Sequence, residues 1–522
     1  MGYLIWGRLA CISQPRDARI SSQIDNTMLR RVSNSLSSIP RVLAHPAFLL
    51  GASAAISAAY YLRELTLPYG LLDRWQSTHV TVRSMIGHNS GLQLAYVVTF
   101  AAVFLLYFLA LWMVTIRSDR RMWTLVIIGA VAINLILLFQ YPFDAIDIFD
   151  YIFRGRMQAI YGANPFYDLP NQFQTDSLYP YALWVYATSA YGPLWETITK
   201  GLSAISGDGV IANVIAYKLV ALGGYAATSV AIALTVRRLA PARALLAVTM
   251  FAWNPLVVFS IAGNGHNDAV MTACMVLGFT LLSARRYTLA ALAETVGALV
   301  KFISALLVPI VVVVALRSLP DWRARIRYLL MTGFACAALV AIAYAPYWRG
   351  GDILGLNRRT TLFTTSIPTL AHFFLSQSLG RQADPVVAYG ALAATALFVA
   401  WQTWRAFRDD SPDSPMRAGL SVLLFYLLIT CLWFQPWYLI WVMALAPLVF
   451  SWTLLRGSIL FSITAHAQLP LFHFVLFPGH AIFRKPFTDL YEMLPTLGVC
   501  WAYFIVVGIV QLRHRTKMPH EA

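Results

Sequence analysis

The chain is laid out as long, uninterrupted apolar blocks, and that feature decides most of what it can fold into. About 14 such blocks run at 47–65, 93–116, 122–141, 209–236, 243–262, 268–284, 287–300, 303–317, 328–347, 386–406, 418–434, 437–455, 457–477 and 491–511. Most are long enough to cross the hydrocarbon core as a helix, which takes about 20 residues. Lipid offers no water to unpaired backbone groups, so a spanning segment must be a helix or part of a closed barrel. The blocks are continuous rather than alternating, which selects helices. The expected fold is therefore all-α: a polytopic membrane protein with about 14 spans, long outer loops and short helices lying on the membrane surface.

Composition agrees. Of 522 residues, 59% are hydrophobic and only 12% charged, against about 25% charged in a soluble domain. The net charge of +16 raises the question of a nucleic-acid partner, and its distribution answers it. Arg8, Arg16, Arg19, Arg30, Arg31, Arg41, Arg117, Arg120, Arg121 and later clusters place 25 of the 39 basic residues in one set of mostly short loops. Short basic loops stay in the cytoplasm. The charge thus reads as topology, with both termini inside, a plasma-membrane location and no nucleic-acid partner. Residues 1–46 lack the tripartite signal-peptide pattern and read as a basic, mostly disordered cytoplasmic tail. Residues 47–317 form a membrane catalytic module with an outer loop at 142–208. Residues 318–512 form a C-terminal transmembrane module with an outer loop at 348–385, and 513–522 a second tail. A further outer segment lies at 479–490. Five cysteines have spacings that suit neither zinc nor a disulfide framework.

The 142–208 loop is rich in Tyr, Trp and Phe, unlike a disordered segment. It opens with YPFDAIDIFDYIFRGRMQAIYGANPFY, from Tyr141 to Tyr167. If residues 145–161 are helical, Asp147 and Tyr151 share a face one turn apart, and Gly162, Asn164 and Pro165 end the helix. Asp144, Asp147 and Asp150 at a membrane surface suit a base that removes a hydroxyl proton as the oxygen attacks an anomeric carbon. A departing lipid phosphate needs cations, and Arg156, Lys301, Arg349, Arg358 and Arg359 project to this side; arginine can hold phosphate with two hydrogen bonds. The plain alternatives are helix capping and ion pairing with Arg154 and Arg156. A second turn, GNGHND at Gly263–Asp268, displays Asn264, His266, Asn267 and Asp268 between two apolar blocks. Asn267 or Asp268 capping the next helix is its plain alternative, as snorkelling is for Lys301.

Four motifs in this order carry a resemblance: D-I-F-D-Y-x-x-x-G-R at Asp147–Arg156, G-x-N-P-x-Y at Gly162–Tyr167, Y-G-P-L-W at Tyr191–Trp195 and G-N-G-H-N-D at Gly263–Asp268, with V-K-F at Val300–Phe302. The stretch from about Trp123 to Pro309 resembles the polyprenol-phosphate-mannose-dependent α-(1→6)-mannopyranosyltransferases, in the GT-C superfamily of integral membrane glycosyltransferases. The resemblance implies a polyprenyl-phosphate-sugar donor in the outer leaflet, a glycan or glycolipid acceptor, and mannose as the sugar. It implies a catalytic Asp in the first large outer loop, which maps to Asp147. Relatives often carry an acidic residue directly before it, where this chain has Ile146. The base therefore stays open between Asp147 and Asp144.

The expected reaction is one inverting displacement. Donor phosphate and sugar would meet Arg156, His266, Asn267, Asp268, Lys301 and Arg349. Tyr151, Tyr191, Trp195 and Trp437 would line the acceptor side, although interfacial aromatic belts place such residues too. No cofactor is implied, and a divalent metal on Asp144, Asp147 and His266 stays open. The rival readings are a lipid-sugar flippase or an oligosaccharide ligase. Transporters favour internal repeats and midplane charges. Here polar groups crowd the outer rim, and Lys218 is the plainly intramembrane charge.

Overall fold

The computed structural model describes residues 45–78, 82–86, 89–350, 353, 362–471, 474 and 487–516. The N-terminal tail, Arg358, Arg359 and most of 479–490 lie outside these residues. Among the described residues the fold is helical throughout, without a strand. Among the described residues, each apolar block of the sequence is mostly helix. The elements needed below are α1 (Pro46–Tyr60), α2 (Ser90–Ile116), α3 (Arg120–Leu138), α4 (Asp147–Tyr161), α5 (Pro193–Ser206), α6 (Val210–Leu239), α7 (Asp268–Ser283), α8 (Tyr287–Val300) and α9 (Leu439–Leu445).

Length and composition qualify six described helices as spans: α2, α3, α6, Trp322–Tyr347, Ile367–Arg408 and Leu490–Arg513. A seventh arises if Pro241–Ala252 and Pro255–Gly263, bent by 51°, count as one. Five more apolar helices, α7 and α8 among them, are shorter. About 14 spans were expected; among the described residues six helices are long enough by themselves, and seven with the bent pair. Leu105 (69% exposed) and Ile128 (59%) on the long helices point away from the protein. On a polytopic membrane protein such side chains face hydrocarbon rather than water.

Local chemistry explains the ends. Asn89 caps α2 by accepting from Gly91 and Leu92 N–H, and Asp119 caps α3 by accepting from Met122 N–H. The 51° bend follows from Pro255, which cannot donate to the preceding turn. Carbonyls around that break are met by buried phenols: Tyr107 donates to Met250 O at 2.9 Å and Tyr225 to Ala252 O at 2.6 Å. The Asn254 side chain accepts from Val257 N–H at 3.2 Å and restarts the helix. In lipid such repairs are what make a broken helix tolerable. The bend delivers the chain into the Gly263–Asp268 turn.

α4 is a different kind of helix. It has only 15 residues, carries Asp147, Asp150, Arg154 and Arg156, and is packed inside protein on most sides. Two acidic residues in its first turn complement the helix dipole, and Gly162 at φ +64° ends it. Gly155 lets α4, α5 and α6 meet: a Cβ there would lie 2.3 Å from Thr199 O and 2.6 Å from the Tyr217 hydroxyl.

Candidate active site

The helix start predicted near residue 145 begins at Asp147. Asp144 sits in the preceding loop, its N–H donating to Asn264 Oδ1 at 3.3 Å. This bond ties the carboxylate loop to the GNGHND turn. Asp147 Oδ2 lies 3.9 Å from His266 Nδ1, and Nδ1 lies 4.0 Å from Asp268 Oδ2. Asp268 in turn accepts from Lys301 Nζ at 2.8 Å and from Trp441 Nε1. The His266 ring stacks on Trp437, with centroids 4.5 Å apart. Lys301 lies 4.7 Å from the Tyr438 ring centre and 5.3 Å from that of Trp441. Four segments far apart in sequence therefore converge: the α4 start, the turn that runs into α7, the α8 end and α9.

Burial raises the proton affinity of both the Asp144 and the Asp147 carboxyl. Burial pushes Asp147 up to about 7; Lys301 opposes the rise, while Asp150 and Asp268 add to it. Burial and the neighbouring Asp147 push Asp144 up to about 8. Burial drives the His266 imidazole down to about 3, with Asp268 opposing and Lys301 assisting. His266 is thus neutral at physiological pH. Perturbed titratable groups gathered in one place mark functional sites.

Hydrogen bonding gives the same answer. Asp144 Oδ1, both His266 nitrogens, Asn267 Nδ2, Asp268 Oδ2 and both Gln140 side-chain polar atoms are buried and have no partner in the protein. An unmet buried polar atom costs about 1–3 kcal/mol, and such atoms are scarce in folded proteins. Their crowding around one point leaves a set of donors and acceptors for a polar ligand. Asp147 is reachable: its side chain keeps 21% of its exposure. Among the described residues, no three His, Cys, Asp or Glu side chains converge as a metal site requires.

Other expected site residues lie elsewhere. Arg156 is held by Asp176 at 2.6 Å and Asp208 at 2.5 Å, so its guanidinium is already matched. Arg349 pairs with Asp168 at 3.2 Å and is half exposed. Neither is brought to Asp147. Trp195 and Tyr151 are 0% and 1% exposed, their rings 5.2 Å apart and edge to face, so they pack the core and offer no face to an acceptor. Tyr151 instead donates to Asn267 Oδ1 at 3.3 Å, and Tyr191 packs on Tyr151 at 4.9 Å. Asp150, the third loop carboxylate, pairs with Arg154 at 2.8 Å. Gln140 and Trp441 were missed in the sequence. For Trp441 a signal existed, since it follows Trp437 by four residues, the spacing of one helical face.

Comparison with known proteins gives this arrangement a family. Residues 55–317, half the chain, match the model described as α-(1→6)-mannopyranosyltransferase, N-terminal domain. Residues 209–434 match glycosyltransferase family 87. The chain is 27% identical to α-(1→6)-mannopyranosyltransferase A of Mycobacterium tuberculosis over 59% of its own length and 62% of that protein. It is 23% identical to α-(1→6)-mannopyranosyltransferase B of Corynebacterium glutamicum over 71% of its length and 65% of that protein. The matched stretches thus span a little under two thirds of these relatives. No solved structure matches the chain. All the residues from Asp144 to Lys301 that surround the unmet polar atoms fall inside the first matched region, and the chain belongs to the α-(1→6)-mannopyranosyltransferase family.

Proposed function

We propose that the protein is a membrane glycosyltransferase that moves one mannose from a polyprenyl-phosphate donor to a hydroxyl of a glycan or glycolipid acceptor at the outer face. The observation that carries this reading is the set of unmet buried polar atoms around Asp147, a carboxylate that keeps 21% of its side-chain exposure. Asp147 accepts the acceptor hydroxyl proton as that oxygen attacks the anomeric carbon from the face opposite the leaving phosphate, which inverts the centre. A base with its proton affinity near neutrality is well matched to this task. Asp144, half-buried and bonded through its backbone to Asn264, supports the loop, and Asp147 raises its proton affinity. Lys301 faces the growing phosphate charge, an arrangement that stabilises a transition state more than a ground state. Neutral His266, stacked on Trp437, is available to hydrogen-bond sugar or phosphate. The mannose and the α-(1→6) linkage are taken from the names of the relatives.

A flippase would put its polar groups along a path through the bilayer. Here they gather at helix ends, which favours chemistry at the rim. The test is transfer from radiolabelled polyprenyl-phosphate-mannose in membranes carrying wild type or Asp147→Asn. Transfer by wild type alone is expected. Equal transfer by both removes Asp147 as the base, and no transfer by wild type removes the donor.

A further inference from the structure

Lys218 is a charge that the reading above leaves without a task. It sits in α6, a helix long and apolar enough to cross the bilayer, and is 0% exposed. An ammonium at such depth is costly unless its donors are met, and intramembrane charges tend to be functional. Lys218 Nζ donates to Leu137 O at 3.2 Å, Leu138 O at 3.2 Å and Gln140 O at 2.5 Å. The first two carbonyls belong to the end of α3, where a helix leaves its last acceptors open and its dipole attracts a cation; the third lies two residues beyond it. The chain then runs directly into Asp144 and Asp147.

The stem of the same side chain touches the other half of the site. Gly265, at φ +74°, lies so close that an added Cβ would sit 3.3 Å from Lys218 Cγ and 2.6 Å from Ile148 Cδ1. Gly265 directly precedes His266, and Ile148 directly follows Asp147. One lysine therefore grips the segment before the carboxylates by its head and the turn before the histidine by its stem. We propose that Lys218 is a positioning residue that fixes the Gln140–Asp147 segment against the Gly263–Asp268 turn and so sets the separation of Asp147 from His266. It touches no substrate and moves no proton. The inference rests on Asp147 being the base.

Lys218→Met keeps the stem and removes the three donors. In purified full-length protein, given polyprenyl-phosphate-mannose and a mannoside acceptor, kcat is expected to fall about tenfold or more with both KM values within about twofold, since an interaction made only in the transition state is read this way. Lys218→Arg, which can still donate to the same carbonyls, is expected to recover most of that loss. Wild-type kcat in folded Lys218→Met, or a loss that only follows the folded fraction, overturns the proposal. If Lys218→Met yields no folded protein, Gly265→Ala probes the contact from the other side. The same kcat-only loss supports the proposal and wild-type turnover overturns it. Asp147→Asn in parallel separates the two ideas: an inactive Asp147→Asn beside a fully active Lys218→Met sinks the positioning role alone, whereas an active Asp147→Asn sinks the base.

Discussion

The two ends of α4 treat charge in opposite ways. Toward its middle and end, Arg154 meets Asp150 at 2.8 Å and Arg156 meets Asp176 at 2.6 Å and Asp208 at 2.5 Å. At its start, Asp147 approaches only His266, at 3.9 Å, among the described ionic partners. The chemical alphabet is the same, but the first group is matched and the second is held open. Matched buried pairs fix a structure, because removing one partner strands a charge. Open ones destabilise it and persist where a ligand completes them.

Several substitutions can break this contrast. Asp147→Asn should have the largest effect, a loss of transfer of about 10²–10⁴-fold, the usual contribution of a general base, with thermal stability held or raised. Arg154→Met should lower stability by about 3–5 kcal/mol, the cost of stranding a buried partner. Thermal unfolding reads that loss, and turnover per folded molecule should fall far less than in Asp147→Asn. If the two variants reverse these profiles, the division of α4 is wrong.

The pH dependence sharpens the same point. Asp147 titrates near 7 in the folded protein instead of the ordinary 3.8. Only its ionised form accepts a proton, so initial rates should climb about tenfold per pH unit below that point and level off above it. Stability should run the other way. The folded state holds protons that the unfolded state has released between about 4 and 7, so lowering the pH through that window stabilises the fold. A rate that is flat from pH 5 to 8 would contradict the base assignment. The smallest effect is expected of Arg349→Ala. Its half-exposed pair with Asp168 is worth at most about 1 kcal/mol, so transfer measured in the same membranes should change by no more than about twofold.

The sequence carried the site's outline further than its details. Asp144, Asp147, His266, Asn267, Asp268 and Lys301 were legible because two short polar motifs interrupt an apolar chain, and the structure brings them together. The pairing of Arg156 was not legible, because its partners, Asp176 and Asp208, lie in a loop whose path no periodicity describes. The burial of Trp195 and Tyr151 was not legible either, because an aromatic residue near a membrane surface reads alike whether it stacks on a ligand or fills a core. Apolar blocks such as α7 and α8 gave helices shorter than a full span, and hydropathy alone does not say whether such a helix crosses lipid. Lys218 was visible as an anomaly, but its acceptors are backbone carbonyls, which carry no sequence signature.

The late arrival of Trp441 at Asp268 has a consequence for how the protein is made. Residues 144–268 are synthesised long before α9 emerges from the ribosome, and α4, with four charged residues among fifteen, is a poor substrate for insertion into lipid on its own. A nascent or truncated chain that stops before residue 441 therefore has both motifs in full and lacks the indole that donates to Asp268.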